Sequence, residues 1–316
     1  MKLLSTILIT LGLSITAVTA QEFPSKTVTI VVPYSPSGSA DPVARYIAGE
    51  LQEKWGQTVV IDNRPGAGST IGTAYVSEAP ADGYTILLTT SAYTTAPAVY
   101  NDLPYDPLAM VPVAMPSKSQ FVITVGSQVK ATTVEELVEE SKSRDLFLAT
   151  AGLGSSTHFA GELFTAATGV QVEPVHYKGG SEAMVDLMGG RADIYAGSMT
   201  AVLGNVKAGQ IRALAVMGAE RGDALPDVPS TEELHISDAS SGFWLGVFAP
   251  AGTPDDIVEK LNKDIVAVLS DEEGKAFLTK LDSTGVDMSP AKFKELVTVE
   301  IEQWKKLAAE RGITAE

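Results

Sequence analysis

From Thr27 onward, short β-branched runs alternate with stretches whose apolar positions recur three and four residues apart. Thr27–Val32 (TVTIVV) reads as a strand halted by Pro33. Asp41-Pro42 then opens a helix, Asp41 as N-cap and Pro42 as first helical residue, with Val43, Ala44, Ile47, Ala48 and Leu51 on the buried face. Thr58–Asp62 is the next strand, Thr70–Ala79 a helix after a glycine-rich turn, and Thr85–Thr89 a third strand. Strand, helix and strand at this spacing imply βαβ units and a largely parallel sheet.

A second block follows Phe121–Val125. Thr133-Val-Glu-Glu136 is a capping box, Leu146–Ala149 a strand, and Phe159, Leu163, Phe164 and Ala167 stripe a helix. Val170–Tyr177, Ala192–Tyr195 and Ile211–Val216 read as strands, with a helix over Ser181–Met188. Phe243–Ala249 is again strand-like. Thr253-Pro254-Asp-Asp256 caps a helix buried through Ile257, Leu261, Ile265 and Leu269, and Ser289-Pro290 starts a last one striped by Phe293, Leu296, Val297, Ile301 and Trp304. There is no fixed-period repeat and no low-complexity linker. Two α/β blocks without a flexible joint imply units tied by crossing strands, for which Phe121–Val125 and Phe243–Phe248 are the candidates.

The first twenty residues have another character. Met1-Lys2 is positive, Leu3–Leu13 is mostly apolar, and Val18-Thr19-Ala20 ends on a small residue, the form of a cleaved export signal with the mature chain starting near Gln21. The apolar run is shorter than the ~20 residues that span a bilayer, and no later segment reaches that length, so the expectation is a soluble, exported chain. Absence of cysteine excludes disulfides, thiolate catalysis, Cys-ligated zinc and the lipid-bearing cysteine of a lipoprotein. The net charge of −16 argues against nucleic acid and anionic membrane as partners.

Ligands of parallel α/β sheets bind where strand carboxyl ends meet helix N-termini. Tyr34–Asp41 (YSPSGSAD) is one such loop. Its small residues Ser35, Ser37, Gly38, Ser39 and Ala40 let backbone N–H groups face outward before a helix, which can hold an anion without a basic side chain. Taken alone it reads more readily as a plain strand-to-helix turn. Thr150–His158 (TAGLGSSTH) repeats the device in the second block, with Gly152 and Gly154 flexible and Ser155, Ser156 and Thr157 offering hydroxyls. Two such loops could close on one carboxylate from opposite sides. A third segment, Tyr177-Lys178-Gly179-Gly180, precedes a helix; Lys178 either adds positive charge to the site or is a solvated lysine at a turn.

Gly66-Ala-Gly68-Ser-Thr-Ile-Gly72 superficially resembles a dinucleotide fingerprint, but its spacing is wrong and Arg64-Pro65 intervenes after the strand, so it reads as a structural turn with close helix packing. The three histidines, His158, His176 and His235, lack metal-site spacing, and no G-x-S-x-G elbow supports Ser156 as a nucleophile. Neither cofactor, metal nor catalysis is expected.

Several of these blocks occur together in a known family. FPSKTVTIVVPYSPSGSADPVAR, VVIDNRPGAGSTIGT, ADGYTILLTTS, ATAGLGSSTHFAGELF, VHYKGGSEAMVDLMGGRADIY, GQIRALAV and GFWLGVFAPAGTP follow in order and closely resemble the Bug family of extracytoplasmic solute-binding proteins of tripartite tricarboxylate transporters. The resemblance covers the chain from about Phe23 to the last helix. It implies a two-lobed Venus-flytrap fold with two crossing strands, one lobe from 21–124 with 245–316 and the other from 125–244. It implies that backbone amides of two loops, Ser35–Asp41 and Thr150–Thr157, hold a ligand carboxylate in the cleft. It further assigns Tyr177–Gly179, Asp193 of the R-x-D block and Ser91 to the cleft. The implied protein is a periplasmic monomer that captures a di- or tricarboxylate and passes it to the large and small membrane subunits of the transporter. A sensor for a signalling partner and an exported enzyme on the same scaffold remain alternatives. One departure stands out: the family has two consecutive glycines in its first loop, where Ser37 here precedes Gly38.

Overall fold

A computed structural model describes residues 23–313, and the expected export signal lies outside them. In chain order the elements are β1 (Val28–Val32), α1 (Asp41–Trp55), β2 (Val59–Asn63), α2 (Thr70–Ser77), β3 (Thr85–Thr90), α3 (Ala92–Thr95), β4 (Val111–Val125), α4 (Val134–Ser141) and β5 (Phe147–Thr150). Then come α5 (Ser156–Thr168), β6 (Glu173–His176), α6 (Gly180–Met188), β7 (Ile194–Ser198), α7 (Met199–Lys207), β8 (Arg212–Met217) and β9 (Gly242–Ala249). α8 (Asp255–Ser270), α9 (Glu272–Lys280), β10 (Thr284–Gly285) and α10 (Pro290–Arg311) complete the fold.

The strands run in the order β2-β1-β3-β9-β4-β7-β5-β6, with β8 and β10 also on β4. β1 pairs in parallel with β2 and β3, and β5 with β6 and β7. The 15-residue β4 joins these two parallel halves. Its Val111–Gln120 stretch pairs with β9, and Phe121–Val125 pairs with β7 and β8. The change of partner falls at Gln120/Phe121, four residues before the boundary expected at 124/125, because the strand itself runs on unbroken. β9 begins at Gly242, which is opposite Gln120.

This register aims the site. Ser198, the last residue of β7, is opposite Phe121. Thr90, the last residue of β3, is opposite Leu245, which in turn is opposite Ser117. The carboxyl ends of both parallel halves therefore converge on the middle of β4.

Packing follows from alternation. Within β1, Val28, Ile30 and Val32 join the core beneath α1 and α8, while Val31 turns to the opposite face with Leu87, Phe248 and the α10 residues Phe293 and Val297. Both sheet faces are covered, and each fully buried aliphatic side chain contributes about 1.5–3 kcal/mol. Tyr93 stacks on Phe248 with centroids 3.9 Å apart. The buried Asp264 of α8 ties α1 down, accepting hydrogen bonds from Trp55 Nε1 at 2.7 Å and Lys260 Nζ at 3.0 Å.

Two caps differ from expectation. The N-cap of α1 is Ala40, and Asp41 is the first helical residue. The N-cap of α8 is Pro254, while the Thr253 hydroxyl donates to the Pro250 carbonyl. The Thr133 cap of α4 holds as predicted, its Oγ1 accepting the Glu136 N–H at 3.2 Å.

Candidate functional site

The loops after β1 and β5 meet across a small enclosed cavity of about 20 Å³. On one side stand Tyr34, Gly38, Ser39 and Thr90; on the other stand Ala151, Ser155, Ser156, Thr157, Gly180, Tyr195 and Ser198, with Phe243 at the junction. About 10–15 Å³ of such space holds one water, so a carboxylate enters only if the halves part.

The first loop is braced from within. Asp41 turns its carboxylate back, accepting the Ser37 N–H at 3.1 Å, Arg45 Nε at 2.8 Å and Asn63 Nδ2 at 3.3 Å. Burial by itself would raise this carboxyl; the hydrogen bonds from Arg45, Ser37 and Asn63 outweigh it and hold the group below the usual range. The Asp41 N–H bonds the Gly38 carbonyl at 3.3 Å. With Ser37 and Asp41 occupied internally, Gly38 and Ser39 are the loop residues left at the cavity. Ser37 itself sits at φ +65°, left-handed backbone in which a serine is strained and a glycine is not. This is the position where the sequence departs from the expected glycine pair.

The second loop is organised likewise. Thr157 Oγ1 accepts the Ala151 N–H at 2.8 Å, Thr150 Oγ1 the Gly152 N–H at 3.2 Å, and His158 Nδ1 the Gly154 N–H at 3.3 Å. Ser155 caps α5, its Oγ accepting the His158 N–H. The donors this leaves are the N–H groups of Ser156 and Thr157 at the start of α5, beside the Ser156 hydroxyl. Behind the loop, His176 Nδ1 lies 2.7 Å from Thr150 Oγ1, and the two imidazoles sit edge to face at 4.9 Å. Burial, with a smaller push from His176, brings His158 down to about 4, so it is neutral and its Nδ1 can accept.

The two halves also hold each other. Thr95 Oγ1 donates to the Gly154 carbonyl at 2.8 Å, Tyr100 OH to the Leu153 carbonyl at 3.1 Å, and Ser181 Oγ to the Pro36 carbonyl at 3.0 Å. Thr90 Oγ1 and Ser156 Oγ face each other at 3.5 Å. Gly68 belongs to this contact: it has φ +61°, and a Cβ there would overlap the Leu153 carbonyl oxygen. A Cβ on Gly152 would in turn lie 2.9 Å from the Gly68 nitrogen.

Of the residues expected from sequence, Gly38, Ser39, Ser155, Ser156 and Thr157 line the cavity. Ser35, Ser37, Ala40, Asp41, Thr150, Gly152 and Gly154 lie in the same loops but shape or join them. Ser91 is buried one residue beyond the lining Thr90, its N–H on the Trp244 carbonyl at 3.0 Å. Tyr177 points elsewhere, its hydroxyl donating to Asp186 at 2.7 Å, and Lys178 is exposed with its N–H on Glu182. Gly179 abuts Ser35 at the rim, a Cβ there reaching to 3.4 Å from the Ser35 nitrogen.

Asp193 is not brought to the cavity. It precedes β7 at the end opposite Ser198, ~16 Å away along the strand. There it accepts Arg144 Nη1 and the Phe147 N–H, each at 2.9 Å. That pairing makes it a brace.

Thr90, Tyr195, Ser198 and Phe243 were not anticipated, and Tyr34 was named only as the first residue of its loop. The signal for two of them was position: Thr90 and Ser198 end strands that point at the crossover. The Tyr34 hydroxyl lies 2.7 Å from Thr90 Oγ1. Among the described residues no lysine, arginine or histidine lines the cavity, no group of three or more His, Cys, Asp or Glu side chains could hold a metal ion, and no helix is long and apolar enough to cross a membrane.

With this geometry in view, a protein-family model described as the tripartite tricarboxylate transporter family receptor matches residues 43–313. The chain is 32% identical to the periplasmic binding protein BugD, with a TM-score of 0.89, covering 93% of this chain and 100% of that one. It is 34% identical to Rpa4515 of R. palustris, solved with adipate, with a TM-score of 0.89 and coverage of 93% and 100%. It is 30% identical to MatC of Rhodopseudomonas palustris, solved with bound malate, with a TM-score of 0.86 and coverage of 90% and 99%.

Proposed function

The chain belongs to the tripartite tricarboxylate transporter receptor family, and from that premise we propose that this solute-binding protein captures a small carboxylate between its two sheet halves in the periplasm and delivers it to the transporter's membrane subunits. The observation that carries the reading is the pair of helix N-termini, Gly38–Ser39 before α1 and Ser156–Thr157 opening α5, that meet at one cavity from opposite halves. Their N–H dipoles suit an anion and need no basic side chain. The surrounding −16 charge does not defeat this, because exposed carboxylates are screened within ~8–10 Å at physiological salt while the loop donors touch the ligand.

Two relatives solved with adipate and with malate support a carboxylate as the ligand. Capture follows from the two-loop arrangement. A ligand that bonds both loops does so only when the halves are together, so it shifts the population toward that state, which the membrane partners would recognise.

The test is a thermal-shift screen of the mature chain, unfolded and refolded to strip bound solutes, against carboxylates and their primary amides. At 100 times Kd a ligand stabilises by about 2.7 kcal/mol. Upward shifts confined to carboxylates support the reading; equal shifts with the amides, or none at all, overturn it.

A further inference from the structure

On the lining of the same cavity, the end of β7 carries a hydroxyl with nothing to bond. Ser198 is 2% exposed, lines the cavity, and its Oγ has no hydrogen-bond partner. A buried polar group without a partner is destabilising, so its persistence calls for a reason.

The local backbone sharpens the point. Ser198 is the N-cap of the nine-residue α7, in the extended conformation (φ −63°, ψ 150°) that Ser155 also adopts at the head of α5. Ser155 uses its hydroxyl to cap its own helix. Ser198 does not, so its Oγ–H is left unpaired on the cavity lining at the head of α7. The walls beside it are the aromatic rings of Tyr195 and Phe243.

We propose that Ser198 and the first turn of α7 form a second subsite, which receives an oxygen acceptor at the end of the ligand remote from the carboxylate held by the loops. The inference rests on the carboxylate reading above and narrows it. The ligand is a short carboxylate whose far end bears a hydroxyl, amide or second carboxylate oxygen. Uncharged donors and a helix dipole meet that end, and no guanidinium or ammonium does. Such a site accepts a neutral acceptor as well as an anionic one, and rejects a plain alkyl tail because the Ser198 hydroxyl would stay unpaired.

The test is calorimetric titration of wild type and Ser198→Ala with butyrate, 4-hydroxybutyrate, succinamate and succinate, together with the homologous sets one and two carbons longer. Wild type is expected to bind the oxygen-bearing members about tenfold more tightly than the alkyl carboxylate of equal length. Ser198→Ala should erase that preference, leave alkyl carboxylate affinity unchanged, and melt no earlier than wild type when free, since no cap is lost. Should Ser198→Ala not fold, Ser198→Cys keeps the volume and removes the strong hydrogen-bonding group. An undiminished preference in the variant, or early melting of the kind a lost helix cap produces, overturns the subsite while leaving the carboxylate reading standing. Absence of binding by every carboxylate to wild type overturns both.

Discussion

Gly68→Ala separates closing the cleft from folding. The glycine lies in the turn before α2 at φ +61°, and an added methyl would come under the 3.0 Å that Cβ atoms keep from other heavy atoms, against the Leu153 carbonyl of the opposite half. Two costs follow. The left-handed backbone costs an alanine about 1 kcal/mol whether or not the halves meet, which lowers the free protein's Tm by about 2 °C. The overlap with Leu153 exists only when the loops are together and faces backbone that cannot rotate away. At about 2–3 kcal/mol for such overpacking, it raises Kd about 30- to 150-fold. The assay is paired: thermal melting of the free variant, and calorimetric titration with the carboxylate that the screen identifies. A Kd within threefold of wild type would refute the claim that Gly68 and Leu153 must meet for the ligand to be held.

The neighbouring residues yield further predictions. Ser37→Gly relieves a serine at φ +65° and should raise stability by about 0.5–1 kcal/mol, read as the urea midpoint; a decrease would contradict the left-handed assignment. His158 binds its proton near pH 4 in the folded chain against 6.5 unfolded, so the unfolded state holds more protons between those values. The stability it contributes is complete above about pH 6.5 and falls by about 2 kcal/mol on reaching pH 5. Urea melts of wild type and His158→Gln across that range should diverge; parallel pH profiles would sink the assignment. Asp193→Ala removes the buried acceptor of Arg144 Nη1 and of the Phe147 N–H, with Arg144 still paired to Glu140, and should lower stability by about 1–3 kcal/mol while ligand Kd stays within twofold. A large rise in Kd at unchanged stability would instead place Asp193 in the cleft.

Much of the site was legible where local sequence decides local shape. The β-branched run of β1, the proline at the head of α1 and the small residues between them specify a strand, a tight loop and an outward helix N-terminus without help from the rest of the chain. Thr150–Thr157 is similar, though Ser155 spends the hydroxyl expected for the ligand on capping α5. Where long-range pairing decides, sequence was less informative. Val111–Gln120 carries Pro112, Pro116 and a polar Ser117-Lys118-Ser119 stretch, so it does not read as a strand. β9 and β10 nevertheless pair with it, and register shifts from Pro112 to Ser117 absorb the prolines. Ala196-Gly197-Ser198 is too small and polar to extend the apparent strand beyond Tyr195, which hid both α7 and the Ser198 end of β7. Gly68 reads correctly as a turn residue, but its partner Leu153 lies in the other half, and no periodicity announces such a meeting. Asp41 has the composition of an N-cap; the Ser37 N–H and Arg45 claim its carboxylate instead.

The central claim is that backbone amides from both halves grip one ligand carboxylate together. Amide NMR of the isotopically labelled mature chain, titrated with the carboxylate found by screening, tests it most directly. Concerted shifts concentrated at Gly38, Ser39, Ser156 and Thr157, saturating at a single Kd, are the predicted result. Shifts confined to one of the two loops, or centred elsewhere in the molecule, would contradict it.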